Sequence, residues 1–292
     1  MSPPRETLEV GGRRIEIEQS GPDGADSVVI FHTGTPSAGI MFEPMVAAGA
    51  ARGIRHVAYS RPGYANSGRQ PGRTVADCAA QVAAIADQLG IGRFYTVGWS
   101  GGGPHALACA ALLSDRVIAA ATLASIAPRD AEGLDWLAGM GEENLQEFGA
   151  AESGQLIGFL DHMAADFTHV SPTQIHQAFG DLVSPIDVAA LTGEFAQYLS
   201  DATRLAVSRG IWGWLDDDLA ILHDWGFSLD GIERPVTIWQ GGQDRMVPFD
   251  HGRWLADHVA GAGAQLLPDE GHLSLTVGSY GRVLDDLVAS GA

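Results

Sequence analysis

Short apolar runs alternate with helix-like segments at both ends of the chain, and this alternation restricts the fold more than any other feature of the sequence. The apolar runs at residues 27–31, 94–97, 117–124 and 236–239 have the length of buried strands. Further predicted elements are strands at 13–19, 55–59 and 265–267 and helices at 45–51, 74–89, 250–259 and from 277. Because helical crossovers between parallel strands cover both faces of a sheet, the pattern predicts an α/β fold with a mostly parallel, doubly wound sheet.

The middle of the chain breaks this rhythm. It contains helix-like pieces at residues 154–167 and 191–207 and no convincing apolar strand. We therefore predict a core domain formed by residues 1–128 and 231–292, with residues 129–230 inserted as a helical cap. Residues 129–233 hold 19 acidic residues and three arginines, in a chain of net charge −19. If this charge faces the entrance to a site, it favours cationic substrates; the alternative is that it faces bulk water.

Composition removes several classes of function. The net charge of −19 argues against nucleic acid and anionic membranes as partners. All 17 basic residues are arginine, so chemistry that needs a lysine amine, such as a Schiff base or a pyridoxal phosphate anchor, is excluded. Cys78 and Cys109 lie in alanine-rich helical segments, which favours buried thiols over a disulfide or a metal site. We expect a small-molecule substrate, no cofactor, no metal, and a monomer or homodimer.

Two features of the sequence bear on the cellular compartment of the protein. The first thirty residues lack the apolar stretch and cleavage site of a signal peptide. The strongly apolar run at residues 117–127 is about half the roughly 20 residues that a membrane helix needs. The expectation is a cytoplasmic protein.

One motif carries the chemistry. Residues 98–102, GWSGG, lie between an apolar strand and an alanine-rich helix, which is the context that gives a G-x-S-x-G motif its meaning. A sharp turn from strand to helix places the serine hydroxyl at the carboxyl edge of the sheet, where open α/β folds bind ligands. Ser100 is therefore the predicted nucleophile.

A serine hydroxyl needs a neighbouring base to accept its proton. Among ten histidines, His272 follows the last predicted strand, so its loop reaches the same edge of the sheet as Ser100. His105 lies on the helix that follows Ser100 and is predicted to be structural. The histidines of the predicted cap are interpreted as exposed helix residues.

The histidine needs a carboxylate that orients its ring. Asp244, after the predicted strand at 236–239, is favoured, and Asp269 and Glu270 are rivals that lie close to His272 in sequence. A tetrahedral intermediate further needs two donors for its oxyanion. We expect the backbone N–H of Gly101 to be one of them and that of Thr35 the other, with Gly34 as the alternative to Thr35.

The sequence resembles the capped α/β-hydrolase superfamily over nearly its whole length. The residues that carry the resemblance are 32–36, 61–64, 98–105, 241–248 and 271–272. The resemblance implies the triad order Ser, Asp, His and hydrolysis of esters, lactones, amides, epoxides or carbon–carbon bonds, usually without a cofactor. Two departures from the usual pattern are Ser60, where similar proteins have aspartate, and Thr33, which separates His32 from Gly34.

The serine at residue 100 favours an esterase or lactonase over superfamily members that place a carboxylate there. The alternatives are a carbon–carbon hydrolase, a cofactor-free perhydrolase and a ligand receptor with low turnover. An apolar substrate pocket is predicted from residues near the motif and in the cap: Trp99, Trp136, Met140, Phe159, Met163, Trp212 and Trp214.

Overall fold

The structure, a computed structural model, describes residues 5–291 and contains one eight-stranded sheet. The strand order is β1-β2-β4-β3-β5-β6-β7-β8; β1 and β2 pair antiparallel, as do β2 and β4, and all other neighbours are parallel. The strands are β1 Arg5–Val10, β2 Arg13–Ser20, β3 Ser27–His32, β4 Ile54–Tyr59, β5 Phe94–Trp99, β6 Val117–Leu123, β7 Val236–Gly241 and β8 Gly263–Leu267. The predicted mostly parallel α/β sheet is confirmed.

Helices cover both faces of this sheet. They are α1 Glu43–Ala50, α2 Asp77–Gln88, α3 Gly103–Leu112, α4 Glu142–Glu152, α5 Leu156–Thr168, α6 Ile175–Ala178, α7 Pro185–Ala190, α8 Gly193–Val207, α9 Trp212–Leu222, α10 Phe249–His258 and α11 His272–Ser290. Successive side chains of a strand point to opposite faces. Ile30 of β3 accordingly packs in one buried cluster with Val82 and Leu107, whereas Phe31 packs in another with Leu284 of α11. The sheet is therefore doubly wound.

Helices α4 to α9 lie between β6 and β7, within the segment that we propose as a cap. Three of them, α5, α8 and α9, share an apolar cluster that includes Leu160, Val207 and Trp214. Tyr64, from the loop after β4, belongs to the same cluster. This cluster joins the inserted helices to the carboxyl edge of the sheet, where Ser100 lies.

Helix α11 begins at His272, five residues earlier than the apolar periodicity predicts. Helix α2 begins at Asp77, three residues later than predicted, although the Asp77 carboxylate accepts the N–H of Thr74 as a capping box requires. Strand β1 was not predicted. Within residues 5–291, no helix combines the length and apolar character that a membrane crossing requires.

Candidate active site

Ser100 lies on a sharp turn between β5 and α3. Its φ of 55° is in the left-handed region, which costs a non-glycine residue about 1–2 kcal/mol. The turn needs glycine on both sides: a Cβ atom on Gly98 would lie 2.2 Å from the carbonyl oxygen of Gly102, and one on Gly102 would lie 2.1 Å from that of His32. Such strain in a fixed turn is typical of functional sites.

Asp244 and His272 meet at the same edge of the sheet. His272 Nδ1 donates to Asp244 Oδ2 at 2.8 Å, and Gln240 Nε2 donates to the same oxygen at 3.0 Å. Asp244 Oδ1 accepts the N–H groups of Met246 and Val247 at 2.9 and 2.8 Å. These bonds fix the carboxylate and the tautomer of the histidine. Nε2 is then the ring nitrogen that can accept a proton.

The two rivals of Asp244 take other positions. Within the described part of the chain, neither Asp269 nor Glu270 hydrogen bonds to the His272 ring; the Glu270 carbonyl instead accepts the N–H of Gln243. The ring of His272 also packs against Trp99, with ring centroids 5.8 Å apart. Ser100 and His272 line one cavity, although no hydrogen bond within residues 5–291 joins them.

A carboxylate from the proposed cap holds the start of the helix that carries His272. Asp187 of α7 is fully buried and accepts the backbone N–H groups of His272, Leu273 and Ser274 at 3.0, 2.8 and 2.9 Å. The first N–H groups of a helix have no partner within the helix, so this carboxylate acts as a cap. Its partners lie 85 to 87 residues away in sequence, which explains why local periodicity places the helix start too late.

The same carboxylates set the basicity of His272. Burial lowers the pKa of this histidine, but the charge of Asp244, its hydrogen bond and the charge of Asp187 together raise the pKa above the ordinary 6.5. Burial raises the pKa of Asp244, against the opposing effects of His272 and of the Val247 N–H. The arrangement therefore favours a His272 that accepts a proton readily.

The residues predicted to bind an oxyanion surround Ser100. A Cβ atom on Gly34 would lie 3.3 Å from Ser100 Cβ, and one on Gly101 would lie 2.5 Å from Thr35 Oγ1. The loop that contains Gly34 and Thr35 is held from behind by Arg61, whose guanidinium donates to the Gly34 carbonyl at 2.8 Å and to Thr35 Oγ1 at 3.0 Å. These contacts bring both candidate donor segments to the nucleophile.

Asp217 of α9 connects this loop to the proposed cap. Its fully buried carboxylate accepts from Thr35 Oγ1 and Tyr64 Oη at 2.8 Å each, from Arg61 at 2.5 Å and from Arg73 at 2.6 Å. Burial alone would raise the pKa of Asp217, but Arg61 and Arg73 hold it far below its usual range. The group is therefore a permanent anion that ties four chain segments together.

Two other histidines near the turn are structural. His32 is buried, with Nδ1 3.0 Å from Tyr59 Oη and Nε2 3.0 Å from Thr96 Oγ1. His105 donates from Nδ1 to the Gly101 carbonyl at 3.0 Å, and burial lowers its pKa to about 3. Burial also lowers the pKa of His32, so both rings are uncharged at neutral pH, and each has at least one hydrogen-bond partner.

Ser100 and His272 open on a cavity of about 130 Å³. Of the residues predicted to form a pocket, four line it: Trp99, Phe159, Met163 and Trp214. The other three, Trp136, Met140 and Trp212, are not among the cavity residues of the described chain. Trp136 is buried in the core, where its indole donates to a carbonyl, and Trp212 is 41% exposed and stacks on Arg69. Aromatic composition alone could not separate these roles.

Four acidic residues of this region have positions that the sequence does not predict: Glu147, Asp187, Asp217 and Asp218. The sequence predicts only the effect of their combined charge, either at the entrance to a site or in bulk water. One signal was available for two of them, because residues 216–218 are three aspartates inside the otherwise apolar helix α9, WGWLDDDLAIL. A helix that is apolar on every side is buried, so its aspartates need partners. All three are buried.

Comparisons with known proteins identify the fold of the chain. The model of the α/β hydrolase fold family matches residues 26–279. An esterase from Exiguobacterium antarcticum is 18% identical, with a TM-score of 0.69 over 100% of this chain and 99% of that one. A bromoperoxidase from Bacillus anthracis is 21% identical, with a TM-score of 0.69 over 98% of this chain and 100% of its own.

A third similar structure is an α/β hydrolase fold protein from Nakamurella multipartita, 23% identical, with a TM-score of 0.63 over 99% of this chain and 100% of that one. No curated protein sequence matches the chain. At these identities the solved structures establish the fold alone, while the family model spans most of the sequence. The chain belongs to the α/β hydrolase fold family.

Proposed function

We propose that this protein is a serine hydrolase that cleaves an ester, lactone or similar acyl bond of a small organic substrate. The observation that carries the proposal is the His272–Asp244 hydrogen bond of 2.8 Å, in a cavity that also contains a serine at φ 55°. A nucleophile in the cavity wall, a base with a free ring nitrogen and an orienting carboxylate are the three parts of an acyl-transfer triad.

The proposed reaction has two stages. Ser100 Oγ attacks the carbonyl carbon while His272 Nε2 accepts the hydroxyl proton, and the backbone N–H groups of Gly101 and Thr35 stabilise the oxyanion, with Gly34 as the alternative to Thr35. His272 then donates that proton to the departing alcohol, which leaves an acyl-enzyme. Water hydrolyses the acyl-enzyme with His272 again as the base. Apo structures often lack the serine–histidine hydrogen bond, which tightens when substrate binds.

The cavity limits the substrate. Its volume of about 130 Å³ is close to the roughly 150 Å³ of an engineered cavity that holds one benzene ring. Its wall is mostly apolar and includes Phe159, Met163 and Phe167. Short esters with a compact apolar part fit this description better than long-chain lipids.

Hydrolysis of p-nitrophenyl acetate by the purified protein tests the proposal. Ser100→Ala should lower kcat on the order of a million-fold, as removal of a triad nucleophile does. Ser37 provides a matched control, because it lines the same cavity and its hydroxyl donates to a carbonyl. Ser37→Ala should retain activity. Equal activity of wild type and Ser100→Ala would contradict the proposal.

A further inference from the structure

Gln240 is an amide at an apolar position of the sheet. It lies two residues after Ile238 in β7, and because successive side chains of a strand alternate, both side chains point to the same face. Ile238 packs on that face in an apolar cluster with Val247 and Leu255. A fully buried amide in such surroundings is costly unless hydrogen bonds replace its contact with water. The partners of the amide therefore indicate what Gln240 does.

Both N–H groups of the amide are used beside the proposed triad. Nε2 donates to Asp244 Oδ2 at 3.0 Å and to the Val247 carbonyl at 2.7 Å. Because both neighbours are acceptors, only the NH2 end of the amide can face them. Val247 in turn donates its backbone N–H to Asp244 Oδ1 at 2.8 Å. Gln240, Asp244 and Val247 thus form a closed ring of hydrogen bonds that holds both oxygens of the carboxylate.

This ring fixes the direction of the carboxylate toward His272. Oδ1 accepts only backbone N–H groups, those of Met246 and Val247, whereas Oδ2 accepts from Gln240 Nε2 and His272 Nδ1. The bond from Gln240 keeps Oδ2 in its place whether or not the histidine ring is aligned. Orientation of the ring is the task of the carboxylate in a triad. Gln240 therefore acts on the base through Asp244.

The amide itself is confined by its surroundings. Helix α10 packs directly on it, since a Cβ atom on Gly252 would lie 2.3 Å from Gln240 Cβ and 2.5 Å from its Cγ. Within residues 5–291, no donor reaches Gln240 Oε1, and a buried acceptor without a partner is costly. An apolar side chain of the same length would avoid that cost. Packing alone therefore does not require an amide at this position.

We propose that Gln240 is a positioning residue of the triad, which holds Asp244 so that its Oδ2 directs Nδ1 of His272. The effect on catalysis rests on the proposed hydrolase function, whereas the effect on the His272–Asp244 hydrogen bond does not. In the described part of the chain, Gln240 is not among the residues that line the cavity. Its loss should consequently lower kcat rather than raise KM.

Gln240→Met removes the donor and keeps a side chain of similar length. We expect kcat for p-nitrophenyl acetate to fall at least about tenfold with little change in KM, because a misplacement of about 1 Å can cost about a hundredfold in rate. Gln243→Met is the matched control, since Gln243 directly precedes Asp244 and its side chain is exposed. This control should keep the kcat of the wild type. Retention of kcat by Gln240→Met would overturn the proposal.

Gln240→Glu separates the donor from the packing. Beside the Asp244 carboxylate the new carboxyl group should keep its proton at neutral pH, since buried glutamates ionise at about pH 8–9. The protonated form can donate to Oδ2, so its kcat at neutral pH should exceed that of Gln240→Met. Above about pH 9 the ionised form repels Asp244, and kcat should decline there.

The Gln240→Glu variant keeps the test decisive if Gln240→Met fails to fold. A pH profile of kcat that matches the wild type up to about pH 10 would refute the positioning role, because an ionised group at this place cannot donate. A kcat no higher than that of a folded Gln240→Met variant would also refute it, since the side chain would then matter only for its size.

Nuclear magnetic resonance of protein with ¹⁵N-labelled histidine tests the role without turnover. The Nδ1 resonance of His272 is assigned by its absence from His272→Ala. It should shift in Gln240→Met, because the hydrogen bond to Asp244 loosens, and stay in place in Gln243→Met. A shift without hydrolysis of any ester by the wild type would contradict the hydrolase and leave the positioning role intact. Hydrolysis by the wild type with an unshifted resonance in Gln240→Met would overturn the positioning role alone.

Discussion

Replacement of Asp217 by asparagine should destabilise the protein strongly, because it removes one charge that two buried arginines share. The side chains of Arg61 and Arg73 are 1% and 3% exposed, and Asp217 itself is fully buried. An amide has a single acceptor oxygen and no charge, so it cannot replace the carboxylate for both guanidinium groups and for Thr35 and Tyr64.

Loss of one partner from a buried ion pair costs about 3–5 kcal/mol. The neighbouring Asp218 can reduce this cost, because the negative charge of Asp217 is one of the causes that raise its pKa. Without that charge Asp218 ionises more readily and can compensate Arg73. We therefore expect Asp217→Asn to lower the free energy of unfolding by about 3 kcal/mol, the lower end of that range. A native protein typically has roughly 5–15 kcal/mol of stability in total.

Urea unfolding at neutral pH, followed by tryptophan fluorescence, measures this loss as a change in the free energy of unfolding. Asp285→Asn is the control, because Asp285 forms a bidentate pair with Arg52 while 61% of its side chain is exposed. Solvent screens such a pair, so this variant should unfold almost as wild type does. If Asp217→Asn were as stable as Asp285→Asn, the buried network would not hold the loop.

Three further predictions concern the chemistry. Gly101→Ala should lower kcat for an activated ester about a hundred- to thousand-fold, because the new Cβ atom would lie 2.5 Å from Thr35 Oγ1 and separate the two oxyanion donors. Normal turnover in a folded variant would exclude Gly101 as an oxyanion donor. As pH falls, kcat/KM should decline with an apparent pKa above 6.5, because the general base must be neutral and Asp244 contributes to the raised pKa of His272. If this acid limb of the pH profile lay below 6.5, the prediction would be contradicted. Asp187→Asn should move that limb to lower pH, because it removes a charge that raises the pKa of His272, and an unmoved limb would leave Asp187 with a purely structural role.

The sequence allowed good predictions where the signal is local. The apolar run before Ser100 and the glycines around it have to form a strand and a tight turn, and the structure has both. Asp244 could be placed beside His272 because parallel strands end at one edge of the sheet. In the structure, His272 Nδ1 lies 2.8 Å from Asp244 Oδ2. The roles of these residues in catalysis stay predictions.

Interactions between distant segments could not be predicted in the same way. Asp187 caps α11 from 85 residues away, and Asp217 reaches Thr35 across 182 residues. The hydrophobic periodicity of a sequence contains no information about contacts between residues so far apart in the chain. The acidity of the central segment predicts either a field at the entrance to the site or a solvated surface, whereas Asp187 and Asp217 are buried and bind specific partners.

The residues that line the pocket could not be predicted from residue type either. Trp136 and Trp214 have the same residue type and lie in the same segment, but one packs in the core and the other lines the cavity. Trp136 packs against Phe148 and His251, whereas Trp214 stacks on Phe167. Residue type alone predicts neither which tryptophans are buried, since Trp212 is 41% exposed, nor which buried side chain faces the cavity.

The central claim is that Ser100 is a nucleophile activated by His272. Incubation of the native protein with a fluorophosphonate, followed by intact mass measurement and peptide mapping, tests it most directly. We predict one phosphonyl adduct per chain, located on Ser100, and no adduct in the His272→Ala variant. An unlabelled native protein, or an adduct on another residue, would contradict the account.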